Sequence, residues 1–195
     1  MILDRRMPKM ELKTISLPTR QIEIEVYISS TETSENVPAI LLLHELFGVL
    51  DCYREDAQDL ADRGYLVYVP NLFSGGAVKY CIRAMVTKAG RTNAADSDMN
   101  KEIHALLDAL KADPRSNGRL GMLGQCLTGG YVIQMAKRDD MLAPVIYHHS
   151  LGVEGVGVPK TETLDDIRIL QGHWSTVDPY CPTKKREKFI EQLGD

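Results

Sequence analysis

The sequence predicts an α/β protein: a mainly parallel sheet with helices on both faces, entered through an N-terminal antiparallel hairpin. Three features carry this. Residues 11–17 and 21–28 alternate apolar and polar side chains, with Leu-Pro-Thr-Arg at the join, which is the pattern of a hairpin with one buried face. Later runs at 38–43, 65–69, 120–123, 144–147 and 167–170 are continuously apolar, as strands covered on both faces are. Helical patterns separate most of these runs, and strands alternating with helices imply a parallel sheet between two helical layers.

Each element has a local cause. The run 38–43 reads Pro-Ala-Ile-Leu-Leu-Leu, and the helix predicted over 51–63 ends at Gly64, a residue type that adopts the left-handed terminating conformation without steric cost. Residues 74–97 are less periodic and hold Gly75, Gly76 and Gly90, which predicts a loop with a short helix over one end of the sheet. In 98–112, Ile103, Leu106, Leu107 and Leu110 fall on one helical face, with Asp98 as an N-cap and Asp113-Pro114 as the stop. An amphipathic segment, 131–137, follows the run 120–123, and a charged helix closes the chain to Leu193. No repeat, low-complexity tract or domain boundary appears, so one domain over 1–195 is expected.

Composition excludes several classes of function. The 195 residues include 23 Lys and Arg against 27 Asp and Glu, with 44% hydrophobic residues, the balance of a soluble globular chain. No apolar run approaches the ~18 residues of a membrane span. The opening Met-Ile-Leu-Asp-Arg-Arg-Met-Pro-Lys-Met has no apolar core or cleavage site, so a cytoplasmic location is expected. A net charge of −4 with mixed signs argues against nucleic acid or an anionic membrane as partner and points to a small molecule. Cys52, Cys81, Cys126 and Cys181 form no Cys-x-x-Cys pair, so each is read as a separate thiol.

Cys126 stands out through its neighbours. Gly124-Gln125-Cys126-Leu127-Thr128-Gly129 lies between a strand and a helix and has the form of the sharp turn that presents a nucleophile, with cysteine in the serine position. Gly124, Thr128 and Gly130 are small enough to let such a turn close. The helix N-terminus favours a thiolate, and the Leu127 N–H can point at a developing oxyanion. The plainer reading is that the glycines close a tight loop and Cys126 is buried filler.

This elbow, together with His44-Glu45-Leu46-Phe47-Gly48 and Gly64-Tyr65 leading to Val69-Pro70-Asn71-Leu72-Phe73, resembles the dienelactone hydrolase family of the α/β-hydrolase superfamily, over about residues 38–193. The resemblance implies a three-layer hydrolase fold and a cofactor-free enzyme that opens small esters or lactones through an acyl-cysteine; no metal is expected, because no two of His148, His149 and His173 have the spacing of a metal motif. It implies Cys126 as nucleophile, the N–H groups of Leu46 and Leu127 as oxyanion hole, and Glu45 as the carboxylate near the resting thiol. Asp178 is then the family acid, or else a helix-capping residue, and it stands further from its strand than the usual short turn. The family base should follow on a later strand, but no histidine occurs after Asp178, so the last strand and helix of the fold are expected to be missing.

His148, His149 and His173 follow strands and are the possible substitute bases, with structural roles as the alternative. His44 is expected to shape the oxyanion loop. Where the family bears an arginine for a substrate carboxylate, this chain reads Phe73-Ser74-Gly75-Gly76, leaving Arg83 or Arg91 as replacements. A noncatalytic binding or assembly protein on the same fold is the competing function. An exposed sheet edge would also permit a homo-oligomer.

Overall fold

A computed structural model describes residues 9–29, 35–45, 47–73, 98–149, 164, 166–179 and 181–193. The predicted loop 74–97, with Arg83, Arg91 and Cys81, lies outside the described residues, as does Leu46. Strands β1 (Lys9–Ser16) and β2 (Gln21–Ile28) form the hairpin, with Ser16 opposite Gln21. The turn is fastened to the body of the protein, because Arg20 makes a 2.8 Å ion pair with the buried carboxylate of Glu102 and Thr19 donates to the same group.

The other strands are β3 (Val37–Leu43), β4 (Leu66–Pro70), β5 (Ser116–Gln125), β6 (Met141–Tyr147) and β7 (Gln171–His173). All seven make one sheet in the order β1-β2-β4-β3-β5-β6-β7. Pairing is antiparallel from β1 through β4 and parallel from β4 through β7. The four α-helices among the described residues are α1 (Asp51–Asp62), α2 (Asp98–Lys111), α3 (Gly129–Met135) and α4 (Thr183–Leu193).

Burial explains the sequence patterns. Alternate residues of β3 face opposite layers. Leu41 and Leu43 join Ile103, Leu106, Leu107 and Leu110 of α2 and Val132 of α3, whereas Leu42 joins Val67, Val69, Ala57 and Ala61 under α1. Both faces are covered, so the run has no polar alternation to show. Helix α1 ends as predicted: Gly64 takes φ +93°, and the Tyr65 N–H reaches back to the Leu60 carbonyl at 3.2 Å.

Among the departures from the sequence reading, two have a local cause. Asp98 lies within the first turn of α2 rather than before it. The run 167–170 is not a strand; pairing begins only at Gln171, opposite Val145. The cause is the side of the ladder on which Pro144 falls. The His148 N–H donates to the His173 carbonyl, and N–H groups on that side belong to every second residue, so the position two before Ile146 is Pro144, which has none to give. Ile167 and Leu170 pack on the core without joining the ladder, and Ile169 is exposed.

Candidate active site

The parallel strands end along one edge of the sheet and deliver the predicted site residues in a row. Leu43 of β3 is the register partner of Gly124 of β5, so Glu45 and Cys126, each two residues further on, leave adjacent strands at the same level. His148 and His149 follow β6 at the same edge, and Asp178 comes later in the chain, between β7 and α4.

Cys126 has φ +51°, in the left-handed region that a residue with a Cβ seldom enters. The chain is held there by its neighbours. The Gln125 N–H donates to the Thr128 hydroxyl at 3.0 Å, and that hydroxyl donates to the Gln125 carbonyl at 2.9 Å, closing the turn around the cysteine. A Cβ on Gly124 would stand 2.7 Å from both the Thr128 carbonyl oxygen and Val132 Cγ2, so only glycine fits. Gly129 is crowded as well, since a Cβ there would lie 2.8 Å from His149 Cβ.

His149 is buried, and its Nδ1 lies 2.6 Å from the carbonyl oxygen of Cys126. A carbonyl only accepts, so Nδ1 carries the proton. The indole N–H of Trp174 donates to the His149 carbonyl at 2.7 Å, and the Trp174 ring lies where Gly172 has no Cβ. His148 is exposed with φ +49°. The His173 ring stacks on Tyr147 at 4.6 Å, and its Nε2 accepts from the Gln171 amide at 2.8 Å.

His44 is fully buried in one tautomer. Its Nε2 accepts the Leu72 N–H at 3.0 Å, and its Nδ1–H donates to the Glu45 carbonyl at 2.5 Å. Burial pushes its pKa below 6.5, so it remains neutral and clamps the loop after β3 onto the segment after β4. Tyr53, which the sequence reading did not single out, accepts the Glu45 N–H at 3.0 Å and reaches the Gln125 side chain at 3.5 Å. Burial is the main cause that raises the phenol to about 12, and nearby Glu45, Cys52 and Cys126 push it the same way. The spacing of Tyr53, Ala57 and Ala61 marks it as the first inward residue of α1, the one nearest the loop.

Asp178 is half-buried, and its carboxylate accepts the Cys181 N–H at 3.2 Å in the turn before α4. That contact closes the turn 178–181 ahead of the helix.

Comparison with known proteins agrees with this fold. Residues 24–195 match the dienelactone hydrolase family. The carboxymethylenebutenolidase 1 of Cupriavidus pinatubonensis is 28% identical over 170 residues, 83% of this chain and 70% of that protein. The carboxymethylenebutenolidase of Pseudomonas putida is 24% identical over 166 residues, covering 80% and 67%. A crystal structure from Klebsiella pneumoniae assigned as a dienelactone hydrolase superposes with a TM-score of 0.79 at 18% identity, over 95% of this chain and 80% of that one. The chain belongs to the dienelactone hydrolase family, and the match does not favour a noncatalytic binding protein.

Proposed function

We propose that this family member hydrolyses small esters or lactones through an acyl-enzyme on Cys126. The observation that supports it most is the left-handed Cys126 at the end of β5, in register with Glu45. A residue held in a strained backbone conformation against its own Cβ marks a site where strain serves function. In the first step the Cys126 sulfur bonds to the acyl carbon and the thiol proton passes to the Glu45 carboxylate. Charge developing on the carbonyl oxygen is met by the Leu127 N–H and, by family resemblance, that of Leu46. The C–O bond breaks, the leaving oxygen takes up the proton held by Glu45 and departs as the alcohol, and water later adds to the thioester and releases acid and thiol. Asp178 is the acid of this arrangement, and a cytoplasmic, cofactor-free enzyme is the setting.

The test is acylation with p-nitrophenyl acetate followed by mass spectrometry of the peptides. An acetyl adduct at Cys126, absent from Cys126→Ala, is expected. Acetylation spread over surface lysines alone would sink the proposal.

A further inference from the structure

We infer that His149 is a positioning residue for the oxyanion hole, aiming the Leu127 N–H by holding the other end of the same peptide group. The inference rests on the proposed acyl transfer at Cys126 and assigns His149 a role other than that of a replacement base. The Cys126 carbonyl and the Leu127 N–H belong to one planar trans peptide, so they point in opposite directions and turn together. His149 Nδ1–H binds that carbonyl at 2.6 Å. With φ of Cys126 at +51°, the flanking backbone is off its usual minimum, and without His149 the Cys126 carbonyl, which also accepts a backbone N–H where the short turn 126–128 enters α3, would lose one of the two bonds that set its plane. A hydrogen bond at the carbonyl also polarises the peptide and strengthens its N–H as a donor.

The ring itself is wedged. Gly129 leaves space for it on the helix side, since a Cβ there would meet His149 Cγ at 3.0 Å. On the backbone side, the Trp174 indole holds the His149 carbonyl at 2.7 Å, and Gly172 leaves room for that indole. A line of support therefore runs from β7 through Trp174 and His149 to the nucleophile's peptide group.

Asparagine separates this role from that of a base, because its side-chain N–H₂ stands close to where the Nδ1–H of histidine stands but accepts no proton. The experiment measures the acylation burst with p-nitrophenyl acetate and, in parallel, Cys126 alkylation by iodoacetamide, a displacement that forms no oxyanion. His149→Ala should slow acylation roughly 10- to 100-fold, less than the ~100- to 1,000-fold cost of removing a donor outright. Alkylation should be nearly unchanged, and His149→Asn should recover most of the lost acylation rate. Equal acylation in wild type and His149→Ala overturns the inference, as does a loss of the same size in His149→Asn. So does a parallel fall in alkylation, which would mean a general collapse of the elbow. A wild-type chain that never acylates at Cys126 sinks the proposed function, and this inference with it.

Discussion

The phenol oxygen of Tyr53 accepts the backbone N–H of Glu45 at 3.0 Å, tying the first turn of α1 to the loop that follows β3. The same oxygen stands 3.5 Å from the Gln125 side chain, one residue before the nucleophile. One buried side chain therefore braces the ends of the two strands whose register brings Glu45 and Cys126 together.

Tyr53→Phe keeps the ring and removes this acceptor. Leaving this part-buried N–H unpaired should cost about 1 kcal/mol of stability. Acylation of Cys126 should slow while substrate saturation stays near that of wild type, because the brace touches the loop rather than the substrate. Urea unfolding and burst kinetics check the two parts, and an unchanged burst rate would remove Tyr53 from the site.

Cys126 is half-buried at the elbow, whereas Cys181 is buried with its thiol pKa raised, mainly by burial. At neutral pH, limited iodoacetamide should label Cys126 before Cys181, and also before the exposed Cys52. Peptide mapping that finds Cys126 the slowest of the three would contradict the elbow reading, unless Glu45→Gln restores its reactivity.

Glycine substitutions should rank by the space each finds. Gly124→Ala meets backbone and Val132 Cγ2 at 2.7 Å, and Gly129→Ala meets His149 at 2.8 Å. Each should destabilise by at least the about 1–3 kcal/mol typical of overpacking. Gly121→Ala meets nothing nearer than 3.5 Å and should fall well below both. Thermal denaturation of the three variants decides it.

Stability should fall in two stages as pH drops. His44 is neutral in the folded state with its pKa lowered by burial, so the unfolded chain binds the extra proton first. Stability therefore decreases as pH falls from about 6.5 toward the folded value, and His44→Ala should shrink that stage, leaving the share of His104, whose pKa burial and the Arg138 guanidinium also lower. The Arg115 guanidinium, bonded to Asp113 at 2.8 Å, holds its carboxyl far below 3.8, with Tyr68 donating at 2.7 Å. Its stabilisation is complete above the unfolded value and is lost as pH falls below it toward the folded one. Asp113→Ala should cost about 1–3 kcal/mol at neutral pH, less than the loss of a fully buried pair, because Arg115 is partly exposed and keeps Glu11 at 3.1 Å. A flat profile between pH 7 and pH 5 would contradict the role given to His44.

His148 is exposed, and the His173 ring is stacked on Tyr147 with its Nε2 accepting from Gln171, so neither is placed as a base, and general base catalysis is typically worth ~100- to 10,000-fold. Stopped-flow release of p-nitrophenolate should show a burst stoichiometric with Cys126, then slow turnover that His148→Ala and His173→Ala leave unchanged. Fast steady turnover that vanishes with either histidine would identify a base supplied from within these residues.

By itself, the sequence determined the order and type of most elements. Alternation in β1 and β2, continuous apolar runs in β3 and β4, and the stripe of α2 are consequences of which faces are covered, and that is recorded residue by residue. It also marked Cys126, because a strained turn demands small neighbours close in the chain. Only the tertiary structure decided the supports of the site. Tyr53 meets Glu45 and Gln125 across α1, β3 and β5, and His149 meets the Cys126 carbonyl from β6. Pro144 ends the β7 ladder only because its missing N–H falls on that side. These contacts join residues far apart in the chain, and their geometry comes from strand register and layer packing, which no local periodicity encodes.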